Sequence, residues 1–287
     1  MSPILGSIAG ASARGYGLFS VSKPSITGGT LTSDATYYYR TFIANGNLVV
    51  SRGPVSVDYL VIAGGGGGGS TAGGGAGGVL NGTSSLSSAT YPVVIGGSST
   101  ASSFNSIIPT AGGGGGGGSG GSGGGGPSSG VGGTFSTAGT GIAGPPRQGY
   151  DGGQGYVNTS GFGAGGGGGG AGGGGGTTIP DSTAGSGGSG TNTYSSWLTA
   201  IASAMTSVTG WSTATSGGYI AGGGGGSYNF GPGAGTLGAG GAGGGGAGPN
   251  SSGITNTGSG GSTWYNDNFA GLGGSGLVVI RYLKSAV

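Results

Sequence analysis

Hydrophobic positions in this chain crowd toward its two ends. Ala35–Ile43 (ATYYYRTFI) is rich in aromatic and β-branched residues, and Asn47–Ser51 (NLVVS) follows it. The Asn45-Gly46 dipeptide between them favours a tight turn, so the pair predicts a β-hairpin. After Pro54, Val57–Ala63 (VDYLVIA) is a nearly unbroken apolar run and predicts a buried strand. Gly276–Leu283 (GLVVIRYL) predicts another, and Tyr91–Ile95 (YPVVI) a shorter one. Strand-forming residues thus predict a compact β module built from both termini. A single helix is predicted, Tyr194–Val208, in which Trp197, Ile201, Met205 and Val208 form one apolar stripe. Thr193 or Asn192 could cap it and Gly210 could end it. The stripe reads first as a packing face.

Between the ends the hydrophobic pattern vanishes. Gly64–Gly78, Gly112–Gly126, Gly163–Gly176, Gly222–Gly226 and Gly238–Gly248 are nearly pure glycine, broken by Ser, Thr and Ala. Glycine loses more conformational freedom on folding than any other residue, and these runs have no side chains to bury. Disorder is one reading of such a composition. However, disordered chains are charged and poor in aromatics, whereas this one is only 4% charged and has 13 Tyr. Ordered glycine requires hydrogen bonds between segments, each contributing about 0.5–1.5 kcal/mol net. The left-handed threefold helix provides for them, because its backbone groups all point outward. Contiguous glycine fails the every-third-residue rule of collagen. The expected fold is therefore mainly β and irregular: a small β module from both chain ends, a bundle of polyglycine type II helices, and one short α-helix. The expected divisions are 1–33, an N-terminal segment; 34–63, the β base completed by 276–284; and 64–275, the glycine bundle with its loops.

Candidate chemistry is sparse. The chain has no His, no Cys and no Glu, so the commonest general bases and thiolate metal sites are missing. Asp151 and Asp181 are the one plausible carboxylate couple, and neither lies in an acidic cluster suited to calcium. G-x-G-x-x-G matches inside polyglycine arise by chance. No enzyme, cofactor or metal is expected. A net charge of +2 gives no basic face for nucleic acid. No apolar stretch approaches the ~20 residues that cross a membrane, so no membrane insertion is expected. Aromatic residues in the loops carry more information. Arg147, Tyr150, Asp151 and Tyr156 share one Pro-fixed loop, Tyr228 and Phe230 a second, and Trp264, Tyr265 and Asn266 a third. Rigid aromatics among Ser, Gly and Asn suit recognition surfaces. The same rings could instead cap the bundle ends and shield its outer hydrogen bonds.

VDYLVIAGGGGGG (Val57–Gly69), the repeated Gly/Ala/Ser blocks and GGSGLVVIRY (Gly273–Tyr282) together resemble the glycine-rich domains of bacteriophage tail-fibre and tail-tip proteins. YYYRTFIANGNLVVS (Tyr37–Ser51) is similar to the hairpin leading into them. The resemblance implies a virion protein, a short tail fibre or fibre-tip adhesin, that binds a host surface glycan or outer-membrane protein through its loops. It also implies a homotrimer, with residues 1–33 tying the chain to tail or capsid proteins. A capsid or tail decoration protein with no receptor role is the alternative. An ice-binding protein would need regularly spaced Thr along one helix, which the bare glycine blocks do not supply.

Overall fold

The computed structural model describes residues 23–129, 133–180, 183–229, 235–264 and 270–287. Among the described residues it has three antiparallel sheets, two of which pack face to face. One sheet contains β1 (Ser25–Thr27), β4 (Gly46–Ser51), β7 (Ala89–Val94) and β8 (Ser103–Phe104), in the order β1-β4-β7-β8. The other contains β2 (Thr30–Ser33), β3 (Tyr37–Phe42), β5 (Val55–Ile62), β6 (Val79–Leu86) and β13 (Leu277–Leu283), in the order β2-β3-β13-β5-β6. The C-terminal strand β13 therefore sits at the centre of its sheet, between β3 and β5.

The apolar runs of β5 and β13 follow from burial on both faces. Val57, Val61, Val278 and Ile280 point into the core between the sheets, with Phe42, Leu48, Val50, Val93 and Phe104. Their neighbours Leu60, Ile62, Leu277 and Val279 point the other way, into a second core with Trp197, Leu198, Ile201 and Met205. Because strand residues alternate between faces, a strand with two buried faces loses its polar alternation.

Several expectations need correction. The segments around Asn45-Gly46 do not form a hairpin: β3 pairs with β2 and β13, while β4 pairs with β1 and β7. Neither Asn45 nor Gly46 has the positive φ that a tight two-residue hairpin needs. Asn45 instead accepts a hydrogen bond from the Ile95 amide (2.8 Å), and the chain crosses from one sheet to the other. This places Phe42 and Leu48 in the same inter-sheet core. The β base also begins before the expected boundary at Asp34, since β1 and β2 belong to it. It reclaims β6, β7 and β8 from the stretch assigned to the glycine bundle.

The predicted helix is shorter than its stripe. α1 spans Ser195–Ile201 and passes into a 3-10 turn at Ala202–Met205. No side chain caps it: the cap position falls on Tyr194, and the Thr193 hydroxyl is bonded to Thr191. Gly210 is left-handed (φ 79) and starts a second short helix, α2 (Trp211–Ala214), rather than simply ending the first. Trp197, Ile201 and Met205 are nonetheless buried, against the sheet and against Ala76 and Ala221 of the glycine segments.

The glycine segments hold one another through their backbones. In segment 64–69, Gly65 and Gly68 donate to Gly274 and Gly271, and Gly66 and Gly69 donate to Gly75 and Ala72. Gly64 and Gly67 accept from Gly112 and Gly115. Every third residue thus meets the same neighbour, and three neighbours are served in turn. Segment 73–78 repeats the scheme. Gly73 and Ala76 donate to Gly166 and Gly169, Gly74 and Gly77 to Gly261 and Gly258, and Gly75 and Gly78 to Gly113 and Thr110. A Cβ added at Gly168 would lie 2.0 Å from the Gly74 carbonyl oxygen, so this contact tolerates glycine alone.

Candidate functional site

Segment 64–69 leaves β5 and segment 73–78 returns into β6, so the turn at Ser70 and Thr71 marks the end of the glycine block farthest from the sandwich. Other loops gather there through hydrogen bonds. Ser227 donates its amide to the Thr71 carbonyl, and Ser128 donates its amide to the Thr71 hydroxyl (2.9 Å). A small antiparallel sheet ties them together. It comprises β9 (Thr134–Ser136), β10 (Gly155–Val157), β11 (Gly163–Ala164) and β12 (Tyr228–Asn229), in the order β12-β11-β10-β9.

The register of this sheet places Phe135 opposite Tyr156, Tyr156 opposite Ala164, and Ala164 opposite Tyr228. Residues directly opposite share a face, so these four form one row across the sheet. Phe135 and Tyr156 are in ring contact (centroids 5.1 Å apart), and Tyr228 contacts Trp264 (6.3 Å). Phe135 is 48% exposed, while Tyr156, Tyr228 and Trp264 are half-buried. Phe162 and Ile179 add exposed apolar surface in neighbouring loops.

Three sequence candidates thus meet at this end: Tyr156, Tyr228 and Trp264. Phe230, Tyr265 and Asn266 lie outside the described residues, as does Asp181. Arg147, Tyr150 and Asp151 stand elsewhere, at the end of the glycine block nearer the sandwich. The Tyr150 amide donates to the Gly170 carbonyl, whereas Tyr156 pairs with Ala164 at the other end of the same segment. Gln148 accepts from the Thr110 amide (2.7 Å) and fixes this loop beside the start of β6. The Arg147 guanidinium lies 4.3 Å from the Tyr150 ring centre and donates to the Gly149 carbonyl. Asp151 accepts from the Gly141 amide (2.8 Å). These three side chains are largely occupied in holding their own loop.

Phe135 was missed in the sequence. It sits in a three-residue strand within a Ser/Thr/Gly stretch, with no periodicity to mark it. Its one signal was being an aromatic residue between glycine blocks.

Among the described residues, positive charge keeps to one end. Arg147 is the only basic residue between Arg52 and Arg281, so none of the loops at the far end carries a cation. Lys23, Arg40, Asp58, Arg281 and Lys284 all belong to the sandwich. The far end therefore offers aromatic rings, hydroxyls and amides but no positive charge for phosphate or carboxylate. No helix among the described residues is long and apolar enough to cross a membrane. No family model matches the chain, and neither the curated proteins nor the solved structures provide a match.

Proposed function

We propose that this chain is a bacteriophage virion protein, a short tail fibre or fibre-tip adhesin, that touches the host cell surface with the loops at the free end of its glycine block. One observation carries the reading: separate glycine segments deliver Phe135, Tyr156, Tyr228 and Trp264 to one end, as two ring pairs on a backbone-bonded support. Loops held by a rigid scaffold are where binding residues concentrate. Rigid aromatics give contact area at low entropic cost.

On this reading the support is a bundle of polyglycine type II helices. The period-three exchange of hydrogen bonds with three neighbours favours it. So does the absence of positive φ in Gly64–Gly69, Gly73–Gly78 and Gly165–Gly170. The sandwich is the base, and the N-terminal segment joins it to the tail or capsid, three chains to a fibre. Sedimentation of the purified chain tests the trimer.

Adsorption tests the adhesin role. The purified chain is expected to bind host cells and to compete with the phage for them. Tyr156→Ala with Trp264→Ala is expected to weaken binding about tenfold or more, the scale of a lost hot spot, while leaving the melting temperature near that of the parent. Unchanged adsorption by a folded double variant would refute this role. Capture of another virion protein by the same loops would establish the decoration alternative instead.

A further inference from the structure

The strand β6 (Val79–Leu86) forms one edge of the five-stranded sheet, with β5 on its inner side. The Val79 amide donates to the Gln148 carbonyl, away from β5, and the backbone groups of a strand alternate in direction. The N–H and C=O groups of Asn81, Thr83 and Ser85 therefore also point outward. Among the described residues nothing bonds to these backbone groups, and all three residues are exposed. An open edge is a template for another strand, and proteins usually blunt it with charge, Pro or a bulge. β6 reads VLNGTSSL, with no charge and no proline, and its eight residues pair with β5 without a break. We propose that a second copy of the chain docks on this edge, the two β6 strands pairing antiparallel about a twofold axis at Thr83.

Register singles out the occupant. Outward groups must face outward groups for an antiparallel ladder to form. An axis at Thr83 sets Thr83 against its own twin, Asn81 against Ser85 and Ser85 against Asn81, about six backbone hydrogen bonds in all. An axis at Gly82 would set Ser85 against Val79, whose amide is already bonded to Gln148. An axis at Ser84 would set Asn81 against Ser87, beyond the end of the strand. The side chains agree with the Thr83 register, because Thr opposite Thr and Asn opposite Ser can hydrogen-bond across strands. The Asp58 carboxylate beside Thr83 accepts from its hydroxyl (2.9 Å) and pairs with Arg281 (3.0 Å), so this charge is neutralised before it approaches its twin. A head-to-tail contact of β6 with β2 of the next copy would leave half of β6 open, since β2 has four residues. A sheet edge accepts one strand, so the contact joins chains in twos; with three chains to a fibre it lies between fibres. It depends on neither the aromatic end nor the adhesin reading.

Disulfide trapping tests the register, since the chain has no Cys of its own. Facing residues of a hydrogen-bonded antiparallel pair have Cα atoms about 5.5 Å apart, within the span a disulfide bridges. Thr83→Cys is expected to form a covalent dimer on mild oxidation. Asn81→Cys alone is not, because its twin lies about 14 Å along the strand, yet mixed with Ser85→Cys it is expected to cross-link. Equal cross-linking of Asn81→Cys alone and Thr83→Cys would overturn the axis at Thr83. Sedimentation equilibrium of the full chain tests the edge itself. Thr83→Pro removes an outward N–H and leaves the ladder to β5 intact, and Asn81→Pro does the same should the first variant fail to fold. Either is expected to weaken pairwise association at least about tenfold, with a melting temperature near that of the parent. Undiminished association of a folded proline variant would overturn the edge as the contact. A parent chain without pairwise association would overturn the second copy as occupant, and binding of a synthetic peptide of residues 79–86 to it would then assign the edge to a foreign strand.

Discussion

Single glycines differ sharply in what they tolerate. At Gly168 a methyl group would lie 2.0 Å from the Gly74 oxygen, whereas at Gly114 the nearest atom would be 3.9 Å away. Gly168→Ala is therefore expected to cost about 1–3 kcal/mol, the usual range for overpacking. Gly114→Ala should stay within about 0.5 kcal/mol. Urea unfolding of the two variants checks both figures. Tyr39 gives a second residue-level prediction. Burial is the main cause that pushes its phenol up to about 12 from an ordinary 10, and its hydrogen bond to Asp34 (2.6 Å) adds to the shift. A raised pKa means that the folded state favours the neutral form. The associated stability is complete below pH 10 and is lost as pH rises from 10 through about 12. Melting curves across that window should fall more steeply for the parent than for Tyr39→Phe.

Among the elements, Trp197 is one of the side chains by which the helical insert packs on the five-stranded sheet. The Trp197 ring is packed edge-on to Tyr39 (6.0 Å), and Arg281 lies 4.3 Å from both the Trp197 and Tyr37 ring centres while pairing with Asp58 (3.0 Å). Trp197→Ala is expected to cost about 3–5 kcal/mol, read as a drop in the denaturant midpoint. The same elements show what the sequence could convey. β3, β5 and β13 were legible because long β-branched and aromatic runs admit few alternatives, and the stripe through Trp197, Ile201 and Met205 named the buried face of the insert. The crossing at Asn45-Gly46 was not legible, since a turn dipeptide reports local preference while the partner of each strand is set by the shared core around Phe42 and Leu48. The four-residue α2 and the two- and three-residue strands β8 to β12 are shorter than any period a sequence can display. For that reason Phe135 escaped notice, and nothing separated Tyr150 from Tyr156. Their opposite positions depend on which carbonyl each glycine segment meets.

On the scale of the whole molecule, the basic residues among those described lie in the sandwich or in the loop beside it, and aromatic surface lies with the far end of the glycine block. Contacts made there without cations cannot draw on counterion release or on direct pairing with anionic polymers, so screening has little to remove. Adsorption to host cells should change less than about threefold between 0.05 and 0.5 M sodium chloride. A basic contact surface would lose far more, and a steep salt dependence would count against the aromatic end as the point of attachment.

The central place of β13 has a consequence for biosynthesis. Leu277–Leu283 fills the gap between β3 and β5, and the residues just before it, Gly271 and Gly274, are bonded to Gly68 and Gly65 near the start of the first glycine run. A ribosome must therefore have translated β13 before β3 and β5 can close their sheet. Such distant pairings fold slowly. The nascent chain is left for that interval with unmatched strand edges, which makes it a natural client for chaperones during translation.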